Sequence, residues 1–261
     1  MGLSINKIHN MDCIVGMREI PDNSIDLCVT SPPYNCGIKY DSYDDNKEWD
    51  EYYIWCREWI KEVYRVLKPD GRFCLNHYLS LGQMDNRHAP LMDLNYICTK
   101  EIGFNHHGLA VWDDITLTKR TAWGSWKSAS APYINSPYEG ILILYKERWH
   151  KDNKGESDID GKEFMQSCSG VWRLQPEMNG LTEANFPLSL PLRCIRLLSY
   201  KDDIVLDPFS GSATTAYAAK ISGRQYIGFE VSENYWKIGN HRLEQNGLDA
   251  WIKPEATLGD F

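Results

Sequence analysis

The chain has 261 residues and is 43% hydrophobic, enough for one well-packed domain with a modest insertion, and no apolar run in it is long enough to cross a membrane. A formal net charge of −8 argues against a uniformly basic surface for nucleic acid, although a local basic face remains compatible with it. The opening Met1-Gly2-Leu3-Ser4-Ile5-Asn6-Lys7 lacks the apolar core of a secretory signal, so the expected compartment is the cytoplasm. None of the eight cysteines forms a C-x-x-C pair, so they read as reduced thiols and no metal site is expected.

The first clear element is a short buried strand, Ile25 to Thr30, announced by the turn residues Pro21-Asp22-Asn23-Ser24. It runs directly into Ser31-Pro32-Pro33-Tyr34 and then a polar, Asp-rich loop from Lys39 to Asp50. Glu51 to Leu67 carries Ile54, Trp55, Trp59, Ile60, Val63, Val66 and Leu67 at helical spacing, and Lys68-Pro69-Asp70-Gly71 stops it. A strand follows over Arg72 to Asn76, then a helix over Met92 to Ile102, and strands over Gly108 to Trp112 and Tyr138 to Tyr145. From Lys146 to Glu183 the periodicity breaks down around an isolated Val171-Trp172, and this stretch reads as a loop-rich insertion. Regular structure resumes with a helix over Pro187 to Leu198, a strand over Asp203 to Leu206, a helix over Thr214 to Ile221, a strand over Gln225 to Phe229 and a helix over Glu233 to Asn246. Strands alternating with helices predict an α/β fold with a mainly parallel sheet covered on both faces. Lys119, Arg120 and Lys127 form one candidate basic stretch, and Lys146, Arg148, His150, Lys151 and Lys154 another; the plain alternative for both is a solvated loop.

Two constellations carry chemistry. The first is Asp207-Pro208-Phe209-Ser210-Gly211-Ser212-Ala213-Thr214, a small-residue loop between a buried strand and a helix start. Gly211 permits a tight turn and close approach of backbone to ligand, and the helix start offers N–H groups to an anion. Glu230, some twenty positions on at the tip of the next strand, suits two ribose hydroxyls, while the missing G-x-G-x-x-G argues against a dinucleotide. The second is Thr30-Ser31-Pro32-Pro33-Tyr34, where two prolines stiffen the backbone at the end of a strand and Tyr34 offers an aromatic face. An amine that donates to Ser31 and to the Pro32 carbonyl has its lone pair freed for attack, and a flat base stacks on Tyr34. Cys36 lies beside this motif, but no activating base is visible next to it.

Together the two motifs resemble the amino-methyltransferases of DNA, with Ser31-Pro32-Pro33-Tyr34 in place of the [D/N/S]-P-P-[Y/F/W] catalytic motif and Phe209-Ser210-Gly211-Ser212 in place of F-x-G-x. The catalytic motif first and the cofactor motif near the end is the order of the β group, which places its target-recognition segment between them. The resemblance implies a Rossmann-like class I methyltransferase fold with a mixed, mainly parallel seven-stranded sheet. It also implies a single catalytic domain over 1–261, with recognition falling at about 147–183. The implied methyl donor is S-adenosylmethionine. Asp207, Phe209, Ser210, Gly211 and Ser212 would hold its methionine end, Glu230 its ribose and Asp12 its adenine amino group, with Cys13 beside it and Thr30 and Thr214 completing the set. Ser31, Pro32, Pro33 and Tyr34 would hold a base flipped from DNA.

Thr30-Ser31 at the head of the motif favours cytosine N4 as the target, with adenine N6 in the same family as the alternative. A catalytically inactive DNA-binding accessory protein is a remote alternative, and methylation of RNA or protein another. The implied partners are DNA, a second copy of the chain and a cognate restriction endonuclease, with no membrane.

Overall fold

The computed structural model describes residues 3–40, 42–83, 86–114, 124–134, 136–177 and 186–245. Lys119, Arg120, the stretch 178–183 and Asn246, all included in the sequence expectations, lie outside the described residues. Among the described residues, no helix is long and apolar enough to cross a membrane.

The chain opens with two elements too short for periodicity to announce. Strand β1 is Lys7–Asn10, and helix α1 is Cys13–Met17. Asp12 caps α1, its Oδ1 accepting the N–H groups of Ile14 at 2.9 Å and Val15 at 3.1 Å. Strand β2, Ile25–Thr30, is buried at every position, as a central strand covered on both faces must be. Helix α2, Trp49–Val66, buries Tyr52, Cys56, Trp59, Ile60, Val63 and Val66, one stripe at helical spacing. It ends where Pro69 forces the preceding residues out of helical geometry, and β3, Leu67–Tyr78, begins at once.

A small hairpin of β4, Leu81–Gln83, and β5, Asn86–His88, follows. Helix α3, Pro90–Tyr96, continues as a π-helical turn over Ile97–Ile102 that Gly103 ends at φ 112°. Then come β6, Asn105–Asp114, and β7, Glu139–Tyr145. The stretch expected to be irregular holds α4, Gly161–Ser167, and β8, Val171–Leu174. The chain finishes with α5, Ser189–Leu198; β9, Ile204–Asp207; α6, Thr214–Ile221; β10, Gln225–Glu230; and α7, Glu233–Glu244.

The main sheet runs β1-β10-β9-β2-β3-β7-β6-β8. It has eight strands where seven were expected. The extra one is β8, paired in parallel with β6 and seated by the buried Trp172 and Leu174, which alternate with the exposed Val171 and Arg173. Four residues with a single alternation are too short a pattern to read as a strand. Of these eight strands only β7 runs antiparallel to its neighbours, so the sheet is mixed and mainly parallel as expected.

Side-chain alternation splits the core. Cys28, Leu206 and Phe229 face α2 and Trp59, while Leu27, Val29 and Val205 face α5 and α6. At the sheet's centre β2 lies against β9, with Leu27 opposite Val205 and Cys28 opposite Leu206. From this seam the chain order departs in both directions, and such a switch point leaves a crevice at the carboxyl ends of the strands.

Candidate active site

Both predicted motifs open into that crevice. A cavity of about 360 Å³ is lined by Ser31, Pro32, Pro33 and Tyr34 from the end of β2, and by Phe209, Ser210, Gly211, Ser212 and Thr214 from the end of β9. Asp12 and Cys13 reach it from the end of β1, and Glu230 from the end of β10. Parallel strands whose carboxyl ends share one edge bring together residues almost two hundred positions apart.

Thr30 and Asp207 are not in the cavity wall. They lie beneath it, both buried, with Thr30 Oγ1 donating to Asp207 Oδ1 at 2.7 Å. The same oxygen accepts the Phe209 N–H at 3.1 Å. Asp207 therefore stitches the end of β9 to the end of β2 and shapes the loop that follows. Burial pushes its carboxyl up to about 6, against the lowering effect of those hydrogen bonds.

The loop after Asp207 is wound tightly. Gly211 has φ 49° and Ala213, just before α6, φ 66°. A left-handed alanine costs about 1 kcal/mol, a strain held by the surrounding packing. A Cβ added at Gly211 would meet nothing within 4 Å, so the backbone there is open to a ligand. Glu230 faces this loop, its Oε2 accepting the Gly211 N–H and its Oε1 the Ser232 N–H, each at 2.8 Å. Phe209 turns inward against Trp55 and Trp59, with ring centroids 5.4 and 5.2 Å away. An open backbone turn, an acidic strand tip and a second carboxylate at Asp12 are the donors and acceptors that an amino-acid nucleoside requires, so the residues present fit S-adenosylmethionine. Bound there, it would supply an electrophilic methyl group to the far half of the cavity.

That far half is built on Ser31-Pro32-Pro33-Tyr34. Tyr52 Oη donates to the Pro33 carbonyl at 2.7 Å and lies 3.0 Å from His77 Nε2. Because the tyrosine proton is used on Pro33, His77 must be the donor of that pair. Burial lowers His77 to about 3, so it is a neutral structural histidine under the Tyr34 ring, with centroids 4.3 Å apart. Tyr34 Oη lies 2.6 Å from Ser31 Oγ and donates to Glu139 Oε2 at 2.7 Å. Asn76 Nδ2 donates both to Tyr34 Oη at 2.7 Å and to Glu139 Oε2 at 2.6 Å. Burial raises the Glu139 carboxyl above its ordinary value and the Tyr34 phenol well above its own.

The loop after the motif is ordered by Asp45, whose carboxylate accepts N–H groups from Asn35 at 2.8 Å and from Cys36 and Ile38 at 3.1 Å each. It carries Ile38, Tyr40 and Tyr43 to the cavity. Beside Asp45, burial and the neighbouring charge hold the Cys36 thiol up at about 12, which leaves it unreactive.

Sequence reasoning missed Glu139, Asn76, Tyr52 and Asp45. Glu139 reads as the polar flank of an apolar strand, and nothing local marks it as reaching β2 and β3. The stretch 147–167 lies at the opposite edge of the sheet. Lys151 pairs there with Asp26 at 3.3 Å and Asp203 at 3.0 Å, and Arg224 with Asp158 at 2.7 Å.

A family model described as DNA methylase matches residues 25–241. The type II methyltransferase M.MjaVI of Methanocaldococcus jannaschii is 42% identical over 161 residues, which is 61% of this chain and 81% of that protein. The DNA adenine methyltransferase YhdJ of Escherichia coli is 28% identical over 260 residues, 89% of this chain and 81% of that protein. Among solved structures, the cytosine-N4-specific PvuII DNA methyltransferase superposes with a TM-score of 0.73 at 24% identity, covering 96% of this chain and 92% of that one, a likeness of fold. The matched region runs from β2 into α7 and takes in both halves of the cavity: the chain belongs to the DNA methylase family of N6-adenine and N4-cytosine amino-methyltransferases, whose methyl donor is S-adenosylmethionine.

Proposed function

We propose that the protein methylates cytosine N4 in DNA at a specific sequence, acting on a base flipped into the Ser31–Tyr34 half of the cavity. The observation that carries this reading is the meeting of that half with the Gly211–Glu230 half in one crevice at the switch point. Glu230 would hold the ribose, Asp12 with Cys13 the adenine end, and Phe209 to Ser212 the methionine end of the donor. Thr30 and Asp207 would support these from beneath the cavity, and Thr214, in its wall with Oγ1 engaged by the buried Arg242 at 2.9 Å, would complete the set. Ser31 and the Pro32 carbonyl would accept the amine's N–H groups, and Tyr34 would stack on the base. Methyl transfer needs alignment more than a strong base, because the sulfonium methyl is already activated.

The kinship with YhdJ, an adenine enzyme by name, favours N6 of adenine as a second reading. Both amines present the same donors to Ser31. The resemblance of Thr30-Ser31-Pro32-Pro33-Tyr34 to the motif of cytosine-N4 enzymes supports the first, and the hydroxyl itself does not choose between the two. The complete pair of half-sites argues against an inactive accessory protein.

Recognition is proposed to fall in the part of the expected stretch that follows β8 in the chain, because β8 runs parallel to β6 and so ends at the edge where the cavity opens. A cytoplasmic setting, a homodimer and a cognate restriction endonuclease complete the reading, the last supported by the relatives' designation as type II methyltransferases. The test is incubation of the purified chain with isotopically labelled methyl donor and, in separate reactions, unmethylated genomic DNA, RNA and a protein extract, followed by mass spectrometry of nucleosides and peptides. N4-methylcytosine is expected. N6-methyladenine alone selects the second reading, and label found only in RNA or protein overturns both.

A further inference from the structure

We propose that Glu139 is the proton terminus of the reaction, reached from the target amine through Ser31 and Tyr34, and that it fixes the direction of the hydrogen bonds along that path. This role rests on the DNA-methylating reading above.

A phenol has one proton and two lone pairs. Three groups crowd Tyr34 Oη: Glu139 Oε2 at 2.7 Å, Asn76 Nδ2 at 2.7 Å and Ser31 Oγ at 2.6 Å. An ionised carboxylate only accepts, so the phenol proton points at Glu139. The Asn76 amide nitrogen only donates, and it takes one lone pair. The remaining lone pair must be filled by the hydroxyl proton of Ser31. Ser31 Oγ therefore turns its own lone pairs toward the cavity that it lines. An exocyclic amine presents N–H donors, so this is the polarity the reaction requires. A protonated Glu139 carries a hydrogen of its own and releases the phenol proton toward Ser31. The serine proton would then face the amine's own N–H.

The same chain is a path for the proton that must leave. As the amine nitrogen forms its bond to the methyl carbon, the carbon–sulfur pair departs to sulfur and the nitrogen becomes cationic. One N–H proton then passes to Ser31 Oγ, the Ser31 proton to Tyr34 Oη, and the Tyr34 proton to Glu139. The product is a neutral methylated amine, a serine and a tyrosine as before, and a glutamic acid. No other co-reactant is needed.

Glu139 is suited to the end of such a path. As the first residue of β7 it lies opposite Tyr78 of β3 and Trp112 of β6, in the cavity wall. The titratable groups facing it are Tyr34 from the β2–α2 connection, Tyr78 from β3 and Asp114 from β6, with His77 packed under the Tyr34 ring. His77 is neutral, and Asp114 pushes the Glu139 carboxyl further in the direction that burial does. A carboxylate raised in this way is a better proton acceptor than a solvated one.

The Tyr34 ring alone would stack on a base equally well as phenylalanine, so the hydroxyl separates this role from packing. Tyr34→Phe and Glu139→Gln are each expected to lower the single-turnover rate of DNA methylation about a hundredfold. Methyl-donor affinity by calorimetry and KM for DNA should stay near wild-type values. The double variant should fall no further than either single one. The wild-type rate should rise with pH through one ionisation above the ordinary glutamate range, and Glu139→Gln should lose that limb. In the donor-free protein, infrared difference spectra between about pH 4 and pH 8 should show a carboxyl C=O band that Glu139→Gln abolishes. Undiminished turnover in Tyr34→Phe, or an unchanged pH limb in Glu139→Gln, overturns the relay while leaving the function standing. If Glu139→Gln does not fold, Tyr34→Phe decides alone. Failure of the wild-type chain to methylate DNA removes the reading beneath both.

Discussion

Asp207 shows how much a single buried carboxyl decides. It sits below the cavity, accepts from Thr30 and Phe209, and is held up at about 6 by burial. A carboxyl raised on folding favours the folded state fully below its unfolded value and loses that contribution as pH rises through its folded value. Asp207 therefore weakens the fold between about pH 4 and pH 6, the reverse of a salt-bridged aspartate. Asparagine keeps an acceptor for Thr30 Oγ1 and Phe209 N and has no charge to bury. Denaturant unfolding of Asp207→Asn and wild type should diverge in favour of the variant by about 2–3 kcal/mol on going from pH 4 to pH 7, since each tenfold gain in proton affinity on folding is worth about 1.4 kcal/mol. A pH-independent difference would show that Asp207 ionises as freely in the fold as outside it. Because Asp207 is covered by Phe209 and Thr30, the variant should keep measurable donor affinity, whereas a role in direct contact with the methionine end would remove it.

At the scale of elements, the cofactor loop depends on a strand that does not carry it. Ser210 Oγ donates to the Asp207 carbonyl at 3.2 Å and lies directly over Gly228 in β10. A Cβ at Gly228 would come within 2.2 Å of that oxygen and 3.3 Å of Ile8 Cγ1. Gly228→Ala should cost about 2 kcal/mol and weaken donor binding, because the strain falls on the loop that forms half the cavity. Adding Ser210→Ala removes the nearest clashing atom and should recover most of both losses in a double-mutant cycle; additive losses would mean the two residues do not meet.

Gly228 also marks the limit of what sequence pattern conveys. The strands, helices and loop of the β9–α6–β10 unit are legible because periodicity and the turn residues agree over many positions. So are Ser31 to Tyr34 and Gly211, where an unusual residue order reflects an unusual backbone. Contacts between elements leave no such trace: Gly228 looks like any glycine in a strand, and Glu139 like any strand flank. The short elements β1, α1 and β8 are invisible because one or two alternations do not define a period, whereas the equally short β9 is announced by its apolar run and the turn residues that follow it.

For the whole molecule, the question is what the stretch 147–167 does. By chain order it lies within the expected recognition insertion. In the fold it runs along the amino-terminal edge of the sheet, and the cavity opens at the carboxyl-terminal edge. The six residues of β2 alone separate the two by roughly 17 Å. The stretch is anchored by buried charge. Lys151 reaches Asp26 at the start of β2 and Asp203 just before β9, and Lys68 meets the same Asp26 oxygen at 2.7 Å. Asp26 Oδ2 also accepts the Ile204 N–H at 3.0 Å, so this ion cluster locks the strands of the central seam in register from below. Removing one member leaves the others buried and partly unpaired, which typically costs about 3 kcal/mol. Lys151→Met keeps most of the apolar stem and deletes the charge. It should lower the melting temperature by about 5–10 °C for a chain of this size. The kcat and KM for DNA and methyl donor, measured well below that transition, should stay within about twofold of wild type, as expected for a site with no contact to the cavity. If DNA affinity and its salt dependence fell instead while the melting temperature held, Lys151 would be a phosphate contact and the amino-terminal edge a recognition surface. The ion cluster argues for the first outcome: a lysine that is 7% exposed and already shared between two carboxylates has no charge left to offer DNA.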